Sequence, residues 1–255
     1  MLPERTVKIK QHQDNIEFAA MVESMDESLG RIVDHIDQLG LTDNTLIVFF
    51  SDNGGMSGAN FGGASRVVDS NRLDSAYSTS NLPLRGAKGW LYEGGIRVPM
   101  IVKWPEKFSD SSRIVEEPVI STDFYPSLLE MAGLPARDEQ ALDGVSFVPA
   151  LNGDSFNRGP IFWHFPQYSN HGMQSPGGAV RFGDYKLLEY FENNTVQLFN
   201  LREDIGERND LSKTEPQIRE ELRTLLRSWR EDVDAQMPPR NPDYDPSQYP
   251  HRASP

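Results

Sequence analysis

A long amphipathic helix followed at once by a short apolar strand is the feature that most constrains the fold of this chain. Between Asn15 and Leu39 the apolar residues recur every three or four positions, the spacing of one helix face, and Gly40 can end the helix. A tight turn then leads into the continuous apolar run from Thr45 to Phe50, typical of a strand covered on both faces. These elements predict an α/β unit, in which ligands gather beyond the carboxyl end of the strand.

Two residues with hard oxygen ligands, Asp52 and Asn53, stand at that carboxyl end. Carboxylate and amide oxygens suit Ca²⁺ or Mg²⁺, but Ca²⁺ takes about six to eight oxygens, so two residues do not complete a site. The segment from Ser51 to Gly54 is also ordinary turn chemistry after a strand. Spacing alone therefore leaves a turn and a metal site both open.

A loop punctuated by glycines, from Pro83 to Pro99, carries a single lysine, Lys88. Glycine lets the backbone approach an anion closely and lysine supplies a point charge, although a solvated loop lysine is the ordinary alternative. Glu93 and Arg97 lie in the same loop. We predict that this pair bridges the turn and holds its shape, with an acid–base role as the alternative.

Downstream, short strands are predicted over Val98–Trp104 and Val115–Ile120, with a helix over Asp123–Ala132. A change of composition near residues 152–160 is followed by four short runs separated by turn residues, which predict a small antiparallel sheet, and by a helix that covers it. The four runs and the helix are Ile161–Phe165, Ala179–Phe182, Lys186–Phe191, Val196–Leu201 and Thr214–Ala235. We therefore predict a catalytic α/β domain over 1–155, an α+β subdomain over 156–236 and an extended proline-rich tail over 237–255.

Composition excludes several classes of protein. The net charge of −13 over 255 residues leaves no basic stripe for nucleic acid and argues against docking on anionic membranes. The chain has no cysteine, no apolar run of 18 residues and no apolar signal-peptide core in its first 15 residues. It also lacks the HExxH, Walker and G-x-S-x-G motifs. His164, within an aromatic strand, either lines a pocket or packs.

Four stretches taken together resemble the type I sulfatases of the alkaline-phosphatase superfamily. They are the helix-to-strand block ending in TLIVFFSDNGG, the loop PLRGAKGWLYEGGIRVPMIVKWP, the segment STDFYPSLLEMAGLP with LDGVSF, and the C-terminal AVRFGDYKLLEYFENNTVQLFNLREDIGERNDLS. The resemblance covers residues 15–235. It implies part of an alkaline-phosphatase-like mixed sheet with flanking helices, plus a small C-terminal antiparallel sheet packed on a helix.

The resemblance also implies roles for named residues. Asp52 and Asn53 match ligands of the active-site Ca²⁺, for which Mg²⁺ is the alternative. Lys88 matches the lysine that contacts the sulfate, where positive charge would stabilise the transition state. His164 matches a position near the substrate pocket of some subfamilies. The implied substrate is a sulfated sugar or an aryl sulfate, and the implied location is the periplasm or outside the cell.

Other parts of the sulfatase pattern are missing. No C-x-P-S-R or S-x-P-x-R motif, whose Cys or Ser becomes the formylglycine nucleophile, occurs in the chain, and the first strand with its two aspartates is absent. The chain thus resembles the C-terminal half of a sulfatase, which we expect to be inactive alone and to hydrolyse sulfate esters when the N-terminal half completes it. An N-terminal complementing chain is the expected protein partner. The alternatives are self-association, a non-catalytic remnant or binding subunit, and a phosphodiesterase or phosphonate hydrolase of the same superfamily.

Overall fold

The computed structural model describes residues 10–57, 78–108, 113–136, 139–169, 174–239 and 242–243. Most of the predicted tail and all of residues 58–77 lie outside these ranges. The chain divides into two compact units, one of Met1–Lys107 with Phe162–Pro255 and one of Phe108–Ile161. The domain boundaries drawn from composition stay a prediction.

The first helix, α1, spans Ile16–Gln38, within one residue of the predicted bounds. The side chain of Asn15 caps it by accepting a hydrogen bond from the Phe18 amide at 2.9 Å, and Gly40 follows it with a left-handed φ of 67°. No residue of α1 is buried, although the helix is amphipathic. Its apolar side chains are exposed to a large degree, as in Ile16 (84%) and Met21 (69%).

The strand β1 spans Ile47–Phe50 and pairs antiparallel with β2, Met100–Lys103, so that Phe50 lies opposite Met100. A one-turn helix, α2, spans Glu93–Ile96 between them. Within the described residues this sheet has two strands. We expected both faces of β1 to be covered; Phe50 is instead 44% exposed, because the described chain places no further layer over it.

The unit Phe108–Ile161 contains a 3₁₀ turn at Ser121–Asp123 and two helices, α3 (Phe124–Met131) and α4 (Val148–Asn152). The buried carboxylate of Asp123 receives two hydrogen bonds from Arg158, at 2.8 and 2.9 Å. The strand predicted over Val115–Ile120 is wrong, since this segment has no regular structure. Pro118 within it cannot donate a ladder hydrogen bond.

The predicted C-terminal sheet is confirmed. Its strands run in the order β3-β4-β5-β6, and the helix α5 packs on β4 and β5. The bounds are Ile161–Phe165 (β3), Gly177–Phe182 (β4), Tyr185–Tyr190 (β5), Thr195–Asn200 (β6) and Pro216–Asp232 (α5). One face of the sheet packs on α5 through a cluster that includes Leu187 and Leu226. The other face packs on the loop that carries Lys88, through Leu188 and Tyr92 among others.

A carboxylate on β5, Glu189, attaches α5 to the sheet. It accepts a hydrogen bond from Arg230 at 2.7 Å and one from Arg223 at 2.9 Å, and Arg227 approaches to 3.9 Å. Burial raises the pKa of Glu189, but the two hydrogen bonds and the charges of these arginines outweigh burial, so the pKa lies below its ordinary value. None of the described helices has both the length and the apolar character that a bilayer crossing requires.

Candidate active site

The turn after β1 and the glycine-rich loop are joined backbone to backbone. The amide of Gly54 donates to the carbonyl of Gly95 at 3.0 Å, and the amide of Lys88 donates to the carbonyl of Gly55 at 3.1 Å. The two stretches that the sequence singled out, more than thirty positions apart, therefore meet at one place. Lys88 is bonded to the second residue after Asn53.

Glycine is required where the two segments cross. A Cβ at position 54 would lie 1.8 Å from the carbonyl oxygen of Gly94, and a Cβ at position 94 would lie 2.5 Å from the carbonyl oxygen of Arg85. Both obstacles are backbone atoms, which cannot rotate away. The glycines thus allow a backbone contact that no other residue permits.

The side chain of Asn81, which the sequence analysis did not single out, completes this junction. Its Oδ1 accepts from the Gly55 amide at 3.1 Å, and its Nδ2 donates to the Gly55 carbonyl at 2.8 Å. The same Nδ2 lies 3.1 Å from the hydroxyl of Ser57 and 3.3 Å from the carbonyl of Gly86. Asparagine close to a proline is frequent in loops, so the sequence around Asn81 did not indicate that its side chain joins the two segments.

The two predicted metal ligands lie at the surface of the junction. Asp52 is exposed, and its carboxylate has no hydrogen bond or ion pair within the described residues. Asn53 is half-buried, and its Nδ2 donates to the Gly54 carbonyl at 3.3 Å, which leaves Oδ1 as an acceptor. Over the described part of the chain, no group of three or more acidic or histidine side chains converges as a metal site. The donor set fits Ca²⁺ in its chemistry and supplies two of the roughly six to eight oxygens needed.

Lys88 is half-buried, and its ammonium has no carboxylate partner in the described ranges. The loop on either side is set by two glycines in the left-handed region, Gly86 with φ 80° and Gly89 with φ 85°. The backbone on either side of Lys88 is therefore fixed, while no carboxylate among the described residues pairs with the ammonium of Lys88. This arrangement can hold an anion.

His164 is not brought to this junction by any contact among the described residues. It lies on β3, where its Nε2 donates to the carbonyl of Gln236 at 2.8 Å and its ring packs against Phe191 with centroids 5.6 Å apart. These contacts are those of a packed side chain. A role in substrate binding stays a prediction.

Glu93, predicted to bridge to Arg97, has closer partners far away in the sequence. Its Oε1 lies 2.8 Å from Nζ of Lys186, whereas the Arg97 guanidinium is 3.9 Å away and half-exposed. Lys186 also lies 2.9 Å from Oε1 of Glu207, and Oε2 of Glu207 accepts from the Glu93 amide at 2.7 Å. Sequence patterns did not indicate this buried cluster, because Lys186 and Glu207 lie 93 and 114 positions after Glu93.

Burial governs the protonation of several groups behind the loop. It raises the pKa of Glu207, although the charge of Lys186 acts in the opposite direction. It also raises the pKa of Tyr92 and of Tyr190, whose hydroxyls are 3.1 Å apart. At neutral pH both phenols are therefore neutral and available for hydrogen bonding.

Comparison with known families and structures identifies the family of this chain. A family profile described as sulfatase matches residues 4–134, and one described as N-sulphoglucosamine sulphohydrolase, C-terminal, matches residues 87–232. The chain belongs to the sulfatase family. The sulfatase relatives include a protein of Formosa agariphila named sulfatase, 32% identical over 235 residues, which cover 84% of this chain and 39% of the relative.

A second relative of this sulfatase chain is an N-acetylgalactosamine-6-O-sulfatase of Bacteroides thetaiotaomicron, 28% identical over 218 residues, 80% of the chain and 40% of the relative. Among solved structures, Ps i-CgsB in complex with k-i-k-neocarrahexaose matches with a TM-score of 0.68 and 30% identity, over 86% of the chain and 44% of that structure. The fold is that of the alkaline-phosphatase-like sulfatases. The chain spans about two-fifths of the length of these curated relatives.

Proposed function

We propose that this chain supplies the calcium-binding and sulfate-binding part of a sulfate-ester hydrolase, and that a polypeptide carrying formylglycine completes the enzyme. The observation that carries the proposal is the junction itself. Hydrogen bonds fix Lys88 beside the Asp52-Asn53 turn, while the lysine ammonium and the Asp52 carboxylate have no partner within the described residues.

Lys88 is the proposed sulfate contact. Hydrolysis of a sulfate ester develops negative charge on the sulfate oxygens and the leaving oxygen, and a fixed cation beside them stabilises the transition state. Because the backbone on both sides of Lys88 is held by glycine conformations and by the bond to Gly55, little reorganisation is needed at the moment of reaction.

Asp52 and Asn53 are the proposed Ca²⁺ ligands, with Mg²⁺ as the alternative. The bound cation would supply further positive charge to the sulfate. The remaining oxygen ligands, the nucleophile and its activating groups would come from the complementing polypeptide. We therefore expect this chain alone to hydrolyse no sulfate ester.

The exposed apolar surface of α1 and of the two-stranded sheet supports a complementing polypeptide. Ile16, Met21 and Ile32 on the helix are 84%, 69% and 57% exposed, and Ile101 on β2 is 61% exposed. Each such side chain gains about 1.5–3 kcal/mol when it is fully buried. The relatives are more than twice as long as the matched region, so polypeptide of the length needed to cover these faces exists in the family. Self-association over the same surface is the alternative occupant.

The proposed substrate is a sulfate ester of a sugar, with aryl sulfates as the second class. The names of two of the compared proteins support the sugar: one is an N-acetylgalactosamine-6-O-sulfatase, and the other was solved with a neocarrahexaose. Both matches extend over at least 80% of this chain.

The proposal is tested by titrating the purified chain with inorganic sulfate and with Ca²⁺, by calorimetry. We expect Lys88→Ala to weaken sulfate binding at least about tenfold, the scale of one lost charge-assisted contact. We expect Asp52→Ala to weaken Ca²⁺ binding by a similar factor. Lys213→Ala and Asp43→Ala are the matched controls, since both residues are exposed and lie outside the Asp52-Asn53 turn and the Lys88 loop, and neither should change affinity.

Three outcomes would count against the proposal. Sulfate affinity equal in wild type and Lys88→Ala would remove the lysine from the site. Hydrolysis of an aryl sulfate by the chain alone, lost in Lys88→Ala, would show that no complementing polypeptide is needed. Tighter binding of a phosphonate or phosphodiester than of sulfate would favour the hydrolases of those esters within the same superfamily.

A further inference from the structure

We propose that Lys186, Glu207 and Glu93 are positioning residues, through which the C-terminal sheet sets the place of the loop that carries Lys88. The inference rests on the proposed role of Lys88 in binding sulfate. It adds residues from the far end of the chain to the machinery of that site.

The three side chains form a buried cluster of alternating charge. Nζ of Lys186 lies 2.8 Å from Glu93 and 2.9 Å from Glu207, and the exposed fractions of the three side chains are 0%, 3% and 0%. The Glu207 carboxylate also receives the backbone amide of Glu93 at 2.7 Å. Lys186 belongs to β5, so the cluster joins the sheet directly to the first residue of α2.

A second set of contacts fixes the other side of Lys88. Arg85 donates from its guanidinium to the carbonyl oxygen of Glu207 at 2.6 Å and lies 4.1 Å from the centre of the Tyr92 ring. The Tyr92 hydroxyl donates to Gln197 on β6 at 2.6 Å. Glu207 thus holds the loop at two positions, at Arg85, three residues before Lys88, and at Glu93, five residues after it.

The backbone at Glu207 indicates that this geometry is enforced. Glu207 has a φ of 50°, in the left-handed region that a glutamate seldom adopts. Such a conformation persists only where the surroundings over-determine it. Here the carboxylate and the carbonyl of the same residue both accept hydrogen bonds from the loop, from the Glu93 amide and the Arg85 guanidinium.

Attaching a loop to a sheet through buried charged groups carries a large desolvation free energy, because each group must be removed from water. Apolar side chains would serve equally well if attachment alone were needed. Hydrogen-bonded ions differ in being directional, so they fix the register of the loop as well as its attachment. Besides Lys186 and Glu207, the charged groups facing Glu93 are Arg181 at 4.0 Å and Arg97 at 3.9 Å.

The test compares Lys186→Met, which keeps the length of the side chain and removes its charge, with Leu226→Ala. Leu226 is fully buried on the opposite face of the same sheet, so its truncation destabilises the sheet without touching the cluster. Two properties are measured in each variant: hydrogen exchange of the Lys88 amide, which is bonded to Gly55, and affinity for inorganic sulfate.

We expect Lys186→Met to speed exchange of the Lys88 amide about tenfold or more. Displacement of the loop should weaken sulfate binding about ten- to a hundredfold. Leu226→Ala should lower the melting temperature and change both properties less than about twofold, since local opening of the loop is separate from global unfolding. Adding Glu207→Gln to Lys186→Met should recover most of both losses, because one uncompensated buried carboxylate is removed.

The pH dependence of Lys88 amide protection distinguishes loss of the Lys186 charge from loss of a packing contact. Burial raises the pKa of Glu207, and the charge of Lys186 opposes this rise. When that charge is removed, the folded loop binds more protons at Glu207 than the opened loop does. Protection of the Lys88 amide in Lys186→Met, compared with wild type at each pH, should therefore be regained as pH falls and lost as pH rises. A lost packing contact would give a deficit that does not change with pH.

Equal effects of Lys186→Met and Leu226→Ala, or no effect of Lys186→Met on either property, would overturn the inference. If Lys186→Met does not fold, Glu93→Gln takes its place, because it removes one charge of the cluster and keeps the backbone amide bond. If wild type binds no sulfate, the proposed function fails, and hydrogen exchange at Lys88 still decides the positioning role.

Discussion

Replacement of Gly54 by alanine is the sharpest test of the junction between the Asp52-Asn53 turn and the Lys88 loop. The new Cβ would lie 1.8 Å from the Gly94 carbonyl oxygen and 3.0 Å from the Gly95 Cα. All of these obstacles are backbone atoms, so relief requires the two segments to move apart. That movement breaks the bond from the Gly54 amide to Gly95.

The cost follows from these contacts. Overpacking of a tight site costs about 1–3 kcal/mol, and a lost backbone hydrogen bond about 0.5–1.5 kcal/mol. Part of this is offset by the lower entropy of alanine in the unfolded chain, about 0.4–1 kcal/mol. We therefore expect Gly54→Ala to lower the free energy of unfolding by about 1–4 kcal/mol, a large part of the 5–15 kcal/mol typical of a domain.

The assay is urea unfolding together with sulfate titration. Gly30→Ala is the matched control, since Gly30 lies within α1 and a Cβ there meets no atom within 4 Å. This control should raise stability by about 0.5–1 kcal/mol, because alanine is the better helix former. Should Gly54→Ala match wild type in both stability and sulfate affinity, the close approach of the two segments would be refuted.

Two further predictions concern the sheet and the helix α1. Glu189→Gln should lower stability at pH 7 by about 1.5–3 kcal/mol, the worth of hydrogen bonds to a charged group. Because the folded-state pKa of Glu189 is depressed, its contribution is present above the ordinary value of 4.5 and is lost as pH falls through the folded-state value. Melting temperatures from pH 7 to pH 3 should thus converge for the two proteins, and a constant gap would contradict this. Met21→Glu with Ile32→Lys should leave monomer stability within about 0.5 kcal/mol and reduce association in sedimentation velocity, because both residues are exposed in the chain alone. Association as strong as that of wild type would exclude the α1 face.

Sequence patterns predicted best those helices and strands whose residue pattern lies entirely within the element and its flanking turns. The three- and four-residue spacing located α1 to within one residue, and alternating runs bounded by turns located β3 to β6. The strand predicted over Val115–Ile120 does not form, and Pro118 within it has no N–H to donate to a ladder. The residue types within a short segment therefore decide whether it forms a strand.

The site was predictable in part. Asp52, Asn53 and Lys88 were marked by their place after a strand and among glycines, and the structure brings their backbones together. Lys186 was hidden, because a lysine in a predicted strand is ordinarily a solvent-facing residue. Only the three-dimensional contact with Glu93 and Glu207 shows that it is fully buried.

The long separation between Glu93 and Glu207 has a consequence for synthesis. Their hydrogen bond spans 114 positions of the chain. At a translation rate of about 5–20 residues per second, the loop around Lys88 exists for about 6–23 s before the residue that holds it on both sides has been made. The contacts of the loop with Glu207 therefore form last, and a nascent chain stopped short of Glu207 would hold the Lys88 loop without them, through its junction with Gly54, Gly55 and Asn81.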